Sequence, residues 1–174
     1  ENGARLYLDY GSHPEHATPE CFTPAQVACH DKAGEFLLDL AREKLARQRP
    51  DLKVSVVKNN LDPVDPDHLS YGTHESYTSW VPAERVGPQL IPHLVSRVLY
   101  AGAGGLTAHP QGVGFELSQR ARHLVHAMGS ETTGNRAIFS IRIRKDSDYS
   151  ANGWFRVHLI GKDSQRSPFG IYLT

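Results

Sequence analysis

Residues 4–20 read Ala-Arg-Leu-Tyr-Leu-Asp-Tyr-Gly-Ser-His-Pro-Glu-His-Ala-Thr-Pro-Glu, and several of these residue types handle metal ions and phosphate. Strand alternation sends Leu6 and Leu8 to one face and Arg5, Tyr7 and Asp9 to the other. A Gly-Ser-His-Pro turn follows, then Glu15, Thr18 and Glu20. A guanidinium, a phenol and a carboxylate in a row, with a second carboxylate just past a turn, can hold a metal–phosphate group. Hard oxygen ligands suit Mg2+, and the guanidinium fork matches phosphate oxygens. The alternative is a half-buried strand whose polar face is only solvated.

Three further stretches alternate, and three strands of the chain share one design, apolar on one face and Arg, His, Asp or Tyr on the other. Tyr71–Trp80 reads as a strand with His74 and Ser76 on one face and Thr73, Glu75 and Tyr77 on the other. A single strand histidine is commonly a hydrogen-bonded structural residue. In 136–144, Ala137, Phe139, Ile141 and Ile143 share one face, and Ser140, Arg142 and Arg144 the other. In 154–160, Phe155, Val157 and Leu159 point inward, with Trp154, Arg156 and His158 opposite. For each arginine the alternative is a solvated or structural ion pair.

The elements between must position these faces. Thr23-Pro24 opens a helix with a hydroxyl cap and Pro at its first position. Val27, Phe36, Leu37, Leu40 and Leu45 give it an apolar stripe, Arg42, Lys44, Arg47 and Arg49 load its end, and Pro50 stops it. It is expected to lie over one face of a sheet. Leu52–Asn60 is a β-rich run, Pro88–Ala101 a core helix, Val113–Leu117 a strand and Ser118–Met128 a helix. Ser167-Pro168 signals a further helix start. The glycines from Gly102 onward follow a helix, so they read as a stop and turn, not as a phosphate loop. Asp62, Asp65 and Asp67 lack the glycine and distal Glu of an EF-hand and read as a solvated turn. The expected fold is α+β: a mostly antiparallel sheet with a polar concave face, and helices packed on the other face. The missing β-α alternation argues against a doubly wound sheet.

Composition narrows the function classes. The chain has 174 residues, 39% hydrophobic and 22% charged, enough for one domain with a core. Its 19 basic and 19 acidic residues cancel, and no basic stripe marks a nucleic-acid surface. No apolar run is long enough for a membrane span, and no signal peptide is visible. Cys21 and Cys29 have neither zinc spacing nor a disulfide framework, so free thiols in a reducing cytoplasm are expected.

The stretch NGARLYLDYGSHPEHATPEC resembles the Pup ligase (proteasome accessory factor A) and depupylase/Pup deamidase family. HDKAGE at 30–35, KNN at 58–60, SYGTHESY at 70–77, LVSRVLYAGAG at 94–104, LSQRA at 117–121, ETTGNR at 131–136 and RVHLIGKDS at 156–164 follow in the family's order. The resemblance implies a glutamine-synthetase-like fold and ATP- and Mg2+-dependent joining of a Pup-like modifier's C-terminal Glu to a lysine of a target protein. It implies Asp9 as the catalytic aspartate, Tyr7 and Glu15 as Mg2+ ligands, and Arg5 and Thr18 as nucleotide contacts. His74 and His158 are candidates for metal or phosphate proximity. Arg142, Arg144 and Arg156 are candidates for phosphate or a substrate carboxylate. Two alternatives stay open: hydrolysis of the amide or isopeptide bond by a depupylase or deamidase, and a non-catalytic nucleotide- or modifier-binding homologue. Family chains are longer, with an earlier Glu-x-Glu strand and a later nucleotide-contacting Trp. Residues 1–174 are therefore expected to form a single partial catalytic domain, completed by further segments or by a second chain.

Overall fold

The computed structural model describes residues 2–9, 11–62, 70–131, 134–140, 153–165 and 167–173. The chain divides into two compact units, Glu1–Lys58 with Arg166–Thr174, and Asn59–Gln165.

In the first unit, β1 (Arg5–Leu8) and β2 (Pro14–Ala17) form an antiparallel hairpin. Among the described residues β1 pairs only with β2, so the opening strand makes a two-stranded sheet of its own. Helix α1 (Pro24–Gln48) starts where the sequence placed it. The Gln26 N–H donates to Thr23 Oγ1 and the Thr23 N–H to Gln26 Oε1, a capping box with Pro24 just inside. Its expected apolar stripe stays largely open: Phe36 is 63% exposed, and only Ala28 and Gly34 are buried along the helix. Small residues let α1 approach its neighbours, β2 and the short α4 (Pro168–Leu173). The 52–60 run makes no ladder. The nearest pairing is an isolated bridge between Leu61 and Ser70.

The second unit is built on a four-stranded sheet ordered β3-β8-β7-β6: β3 (Thr73–Ser79), β6 (Leu124–Gly129), β7 (Arg136–Ser140) and β8 (Phe155–Lys162). The β3–β8 and β7–β8 pairs are antiparallel and β6–β7 is parallel. Phe139, Val157 and Leu159 line one face and form the core with Leu94, Val86, Leu90 and Ile91 of α2 (Ala83–Ser96). A helix thus covers the apolar side, as the alternation of β7 and β8 requires. Gly87 makes this close contact possible, because a Cβ there would meet Met128 Cε at 2.7 Å and Phe139 Cδ1 at 3.0 Å. Helix α2 begins before Pro88, and Pro88 and Pro92 lie inside it. A short α3 (Val98–Ala101) follows and ends at Gly102, the expected stop. A second hairpin joins β4 (Gly105–His109) to β5 (Gly112–Glu116).

One helix expectation fails. Residues 118–128 hold only a 3-10 turn, Ala121–His123, before strand β6. The Ser118 hydroxyl accepts from the Arg120 and Ala121 N–H groups at 3.2 and 3.0 Å, which favours a tight turn. Pairing with β7 then extends the chain, so tertiary context overrides local propensity. Asp65, Asp67, Arg142 and Arg144 lie outside the described residues.

Candidate functional site

The β1–β2 register places Tyr7 opposite Glu15 and Arg5 opposite Ala17. Paired residues share a face, so Arg5, Tyr7 and Glu15 lie together, and Asp9 follows just past the end of β1. The Tyr7 hydroxyl donates to Glu15 Oε1. The loop closes through the Asp9 N–H, which donates to the His13 carbonyl at 2.9 Å, and the Ser12 N–H, which donates to the Asp9 carbonyl at 2.9 Å. Ser12 takes a left-handed conformation, φ 63°, to make this turn.

Electrostatics mark the face as acidic. Burial, the hydrogen bond to Glu15 and the charges of Glu15 and Asp9 push the Tyr7 phenol up to about 12, against the pull of Arg5. Burial also raises the Glu15 carboxyl. The Tyr7 donor opposes this, while the charge of Asp9 and a hydrogen bond with its carboxyl add to it. Two carboxylates held this close, beside a phenol, favour a shared proton or a cation. They fit an oxygen-ligated divalent ion that takes its remaining ligands from water or phosphate. Among the described residues no group of three or more His, Cys, Asp or Glu could hold a metal ion, so the hairpin offers part of a coordination shell. Thr18 follows β2 and is half-buried, and Arg5 is exposed.

The other hairpin face seats His16 against α1. A Cβ on Gly34 would overlap the His16 imidazole, and burial lowers that imidazole's pKa. The next turns of α1 carry Asp31 and Glu35, which hold Lys58 at 2.7 and 2.9 Å. Burial alone would lower the Lys58 pKa, but the two carboxylates raise it overall.

In the second unit, the sheet face opposite the core carries His74, Ser76, Ser140, Arg156 and His158. Ser76 pairs with His158 and Ser140 pairs with His158 from the other side. Ser76 Oγ lies 3.1 Å from His158 Nδ1, and Arg156 Nη2 donates to Ser76 Oγ at 2.9 Å. The His74 and His158 rings meet edge to face at 5.2 Å. The structure therefore joins His74, His158 and Arg156 in one polar patch that carries the Arg156 guanidinium.

Sequence reasoning missed two buried charge clusters. Glu75 binds Arg97 at 2.8 Å and Lys162 at 3.1 Å. Asp163 accepts from the Ala103, Gln119 and Arg120 N–H groups and from the Ser118 hydroxyl, at 2.9 to 3.2 Å. Buried Arg120 donates to the Ile160 and Ser70 carbonyls at 2.8 and 2.9 Å. Burial and the neighbouring Arg136 charge bring its pKa down to about 10, against the pull of Asp163. These partners lie dozens of residues apart in sequence, and no local spacing signals them.

A family model described as Pup-ligase protein matches residues 1–174. The Pup–protein ligase of Acidimicrobium ferrooxidans is 42% identical over 179 residues, covering 99% of this chain and 38% of that protein. That of Arthrobacter sp. strain FB24 is 43% identical over 172 residues, covering 95% and 37%. The solved structure of the Pup ligase PafA in complex with ADP matches with a TM-score of 0.78 and 36% identity, over 99% of this chain and 38% of that one. The structure of PafA in complex with the prokaryotic ubiquitin-like protein Pup also gives a TM-score of 0.78, with 34% identity, over 98% and 34%. The chain thus spans under two fifths of the length of these relatives. The motifs at 4–21 and those that follow them, the mixed sheet with its helix-covered face and the family match over residues 1–174 agree: the chain belongs to the Pup-ligase family.

Proposed function

We propose that this chain is part of an ATP- and Mg2+-dependent carboxylate–amine ligase that attaches the C-terminal Glu of a Pup-like modifier to a lysine of a target protein. The observation that carries the reading is the Tyr7–Glu15–Asp9 cluster, whose crowded oxygen groups suit a cation. ADP and Pup, bound by the related PafA structures, are the ligands this reading takes over. When bound, Mg–ATP supplies a phosphoryl group that activates a carboxylate and the charge that neutralises its transfer. Glu15 and Tyr7 hold the metal by their oxygens, and Arg5 and Thr18 bind the nucleotide. Asp9, on an exposed turn fixed by two backbone hydrogen bonds, accepts the proton of the attacking amine. On the second unit, His74, Arg156 and His158 bind anionic oxygen, and Arg142 and Arg144 are assigned the same task. Residues 1–174 act as part of a catalytic domain in the cytoplasm, together with the further segments or second chain that the family's length implies.

The test is ADP release dependent on a Glu-ending peptide, measured on the full-length protein. Asp9→Asn is expected to slow ligation by about a hundredfold or more, the scale of a lost general base. Full activity in Asp9→Asn would remove Asp9 from the mechanism. Amide cleavage without net ATP consumption in the wild type would replace the ligase reading with the hydrolase one.

A further inference from the structure

Ser140 ends β7, and its Cα faces His158 across the β7–β8 ladder, so both side chains leave the sheet on one face. Ser140 is 1% exposed, and its Oγ has no hydrogen-bond partner among the described residues. The rest of that face is engaged: Ser76 with His158 and Arg156, and His158 with His74. Arg156 sits two residues from His158 on the same strand, with Nη2 3.4 Å from His158 Nδ1. A buried hydroxyl that makes no hydrogen bond costs stability, and Ala at the same place would not incur that cost. The hydroxyl leaves the sheet on the face that also carries His158 and the Arg156 guanidinium, so an unused donor lies on the side read as an anion site.

We propose that Ser140 is a binding residue whose hydroxyl donates to an anionic oxygen, phosphoryl or carboxylate, held on this face by Arg156. The inference rests on reading the His74–Arg156–His158 face as an anion site, and it adds a contact that the charged residues do not supply. Two sources share this chemistry, the phosphates of a nucleotide and the carboxylate of a Glu-ending peptide.

The experiment titrates ADP and a Glu-ending peptide separately into full-length wild type, Ser140→Ala and Arg156→Ala, and records the melting temperature of each ligand-free protein. Ser140→Ala is expected to bind one ligand about tenfold more weakly, the scale of a lost hydrogen bond to a charged group. The affected ligand identifies the source of the oxygen. Ligand-free Ser140→Ala is expected to melt at or above the wild-type temperature. Affinities within twofold of wild type in both titrations would overturn the proposal. So would a lower melting temperature, which would show that the hydroxyl already has a partner within the fold. If Arg156→Ala binds both ligands normally, the anion-site reading fails with it. If Arg156→Ala weakens binding and Ser140→Ala does not, only the role of Ser140 falls.

Discussion

Replacing Glu75 by Gln tests the energetics of the second unit most directly. The Glu75 side chain is 8% exposed and sits between Arg97 at 7% and Lys162 at 6%, at 2.8 and 3.1 Å. Tyr77 also donates to it at 3.2 Å. Burial and the charge and hydrogen bond of Glu75 hold the Tyr77 phenol well above its ordinary range, against the opposing pull of Arg97. Gln keeps the shape and removes the charge, leaving two buried cations with a neutral amide. At an effective dielectric of about 20, each lost ion pair is worth roughly 5–6 kcal/mol of Coulomb energy. Desolvating the carboxylate costs several kcal/mol in the wild type, and the variant recovers it, so the net loss should be about 3–5 kcal/mol. That is a large share of a typical domain stability of about 5–15 kcal/mol. Urea unfolding of Glu75→Gln, followed by far-UV circular dichroism, measures it. Adding Lys162→Met should restore part of the loss by removing one of the two buried cations, and the double-mutant cycle gives the coupling. A loss below about 1 kcal/mol would show that the charges are solvated and would refute the reasoning.

Two further predictions concern the hairpin. The raised Glu15 carboxyl binds its proton more tightly in the fold than in the unfolded chain, so ionising it costs stability. That cost is absent below the unfolded pKa and sets in fully as pH rises through the folded value, and a cation on Asp9 and Glu15 should offset it. An NMR titration of the Glu15 carboxyl should therefore find its pKa above the usual range without Mg2+ and lower with it, and an unchanged value would count against the metal seat. Gly34→Ala improves helix propensity by about 1 kcal/mol, yet it should destabilise the first unit by about 1–3 kcal/mol because the new methyl displaces His16. A thermal melt that rises for Gly34→Ala would show that α1 and β2 are loosely packed there.

What the sequence made legible follows from the range of the interaction behind each feature. The Thr23–Gln26 capping box, the Gly102 stop and the Tyr7–Glu15 face rest on contacts within eight residues, and alternation or capping chemistry reveals such contacts. The 118–128 segment departs from its helical spacing because its outcome is set by Asp163 and by pairing with β7, neither of which leaves a local pattern. The same holds for α1: its spacing predicts a buried stripe, but its contacts run through Gly34 and Ala28.

The motifs behind the family resemblance show a second division of labour. HDKAGE supplies Gly34 to His16, and Asp31 and Glu35 to Lys58, the first residue of KNN. In the second unit Asn60 of KNN meets SYGTHESY, LSQRA and RVHLIGKDS in one buried polar knot. Asn60 accepts from the Ser164 N–H at 2.7 Å and donates to the Tyr71 carbonyl at 2.7 Å, while Arg120 reaches Ser70 and its main chain meets Asp163. Such a network is stable only if every member is satisfied, so it tolerates few substitutions at any of these positions. Asn60, Ser70, Tyr71, Arg120, Asp163 and Ser164 of these motifs are therefore scaffold. Tyr7, Asp9 and Glu15, which are assigned chemistry, sit on a hairpin that the His16–Gly34 contact holds to α1. A two-stranded hairpin is at best marginal alone in water, so that contact helps to keep the carboxylates in register. It follows that motif matches locate the fold, while the acidic cluster on β1–β2 carries the functional claim and is the place to test it.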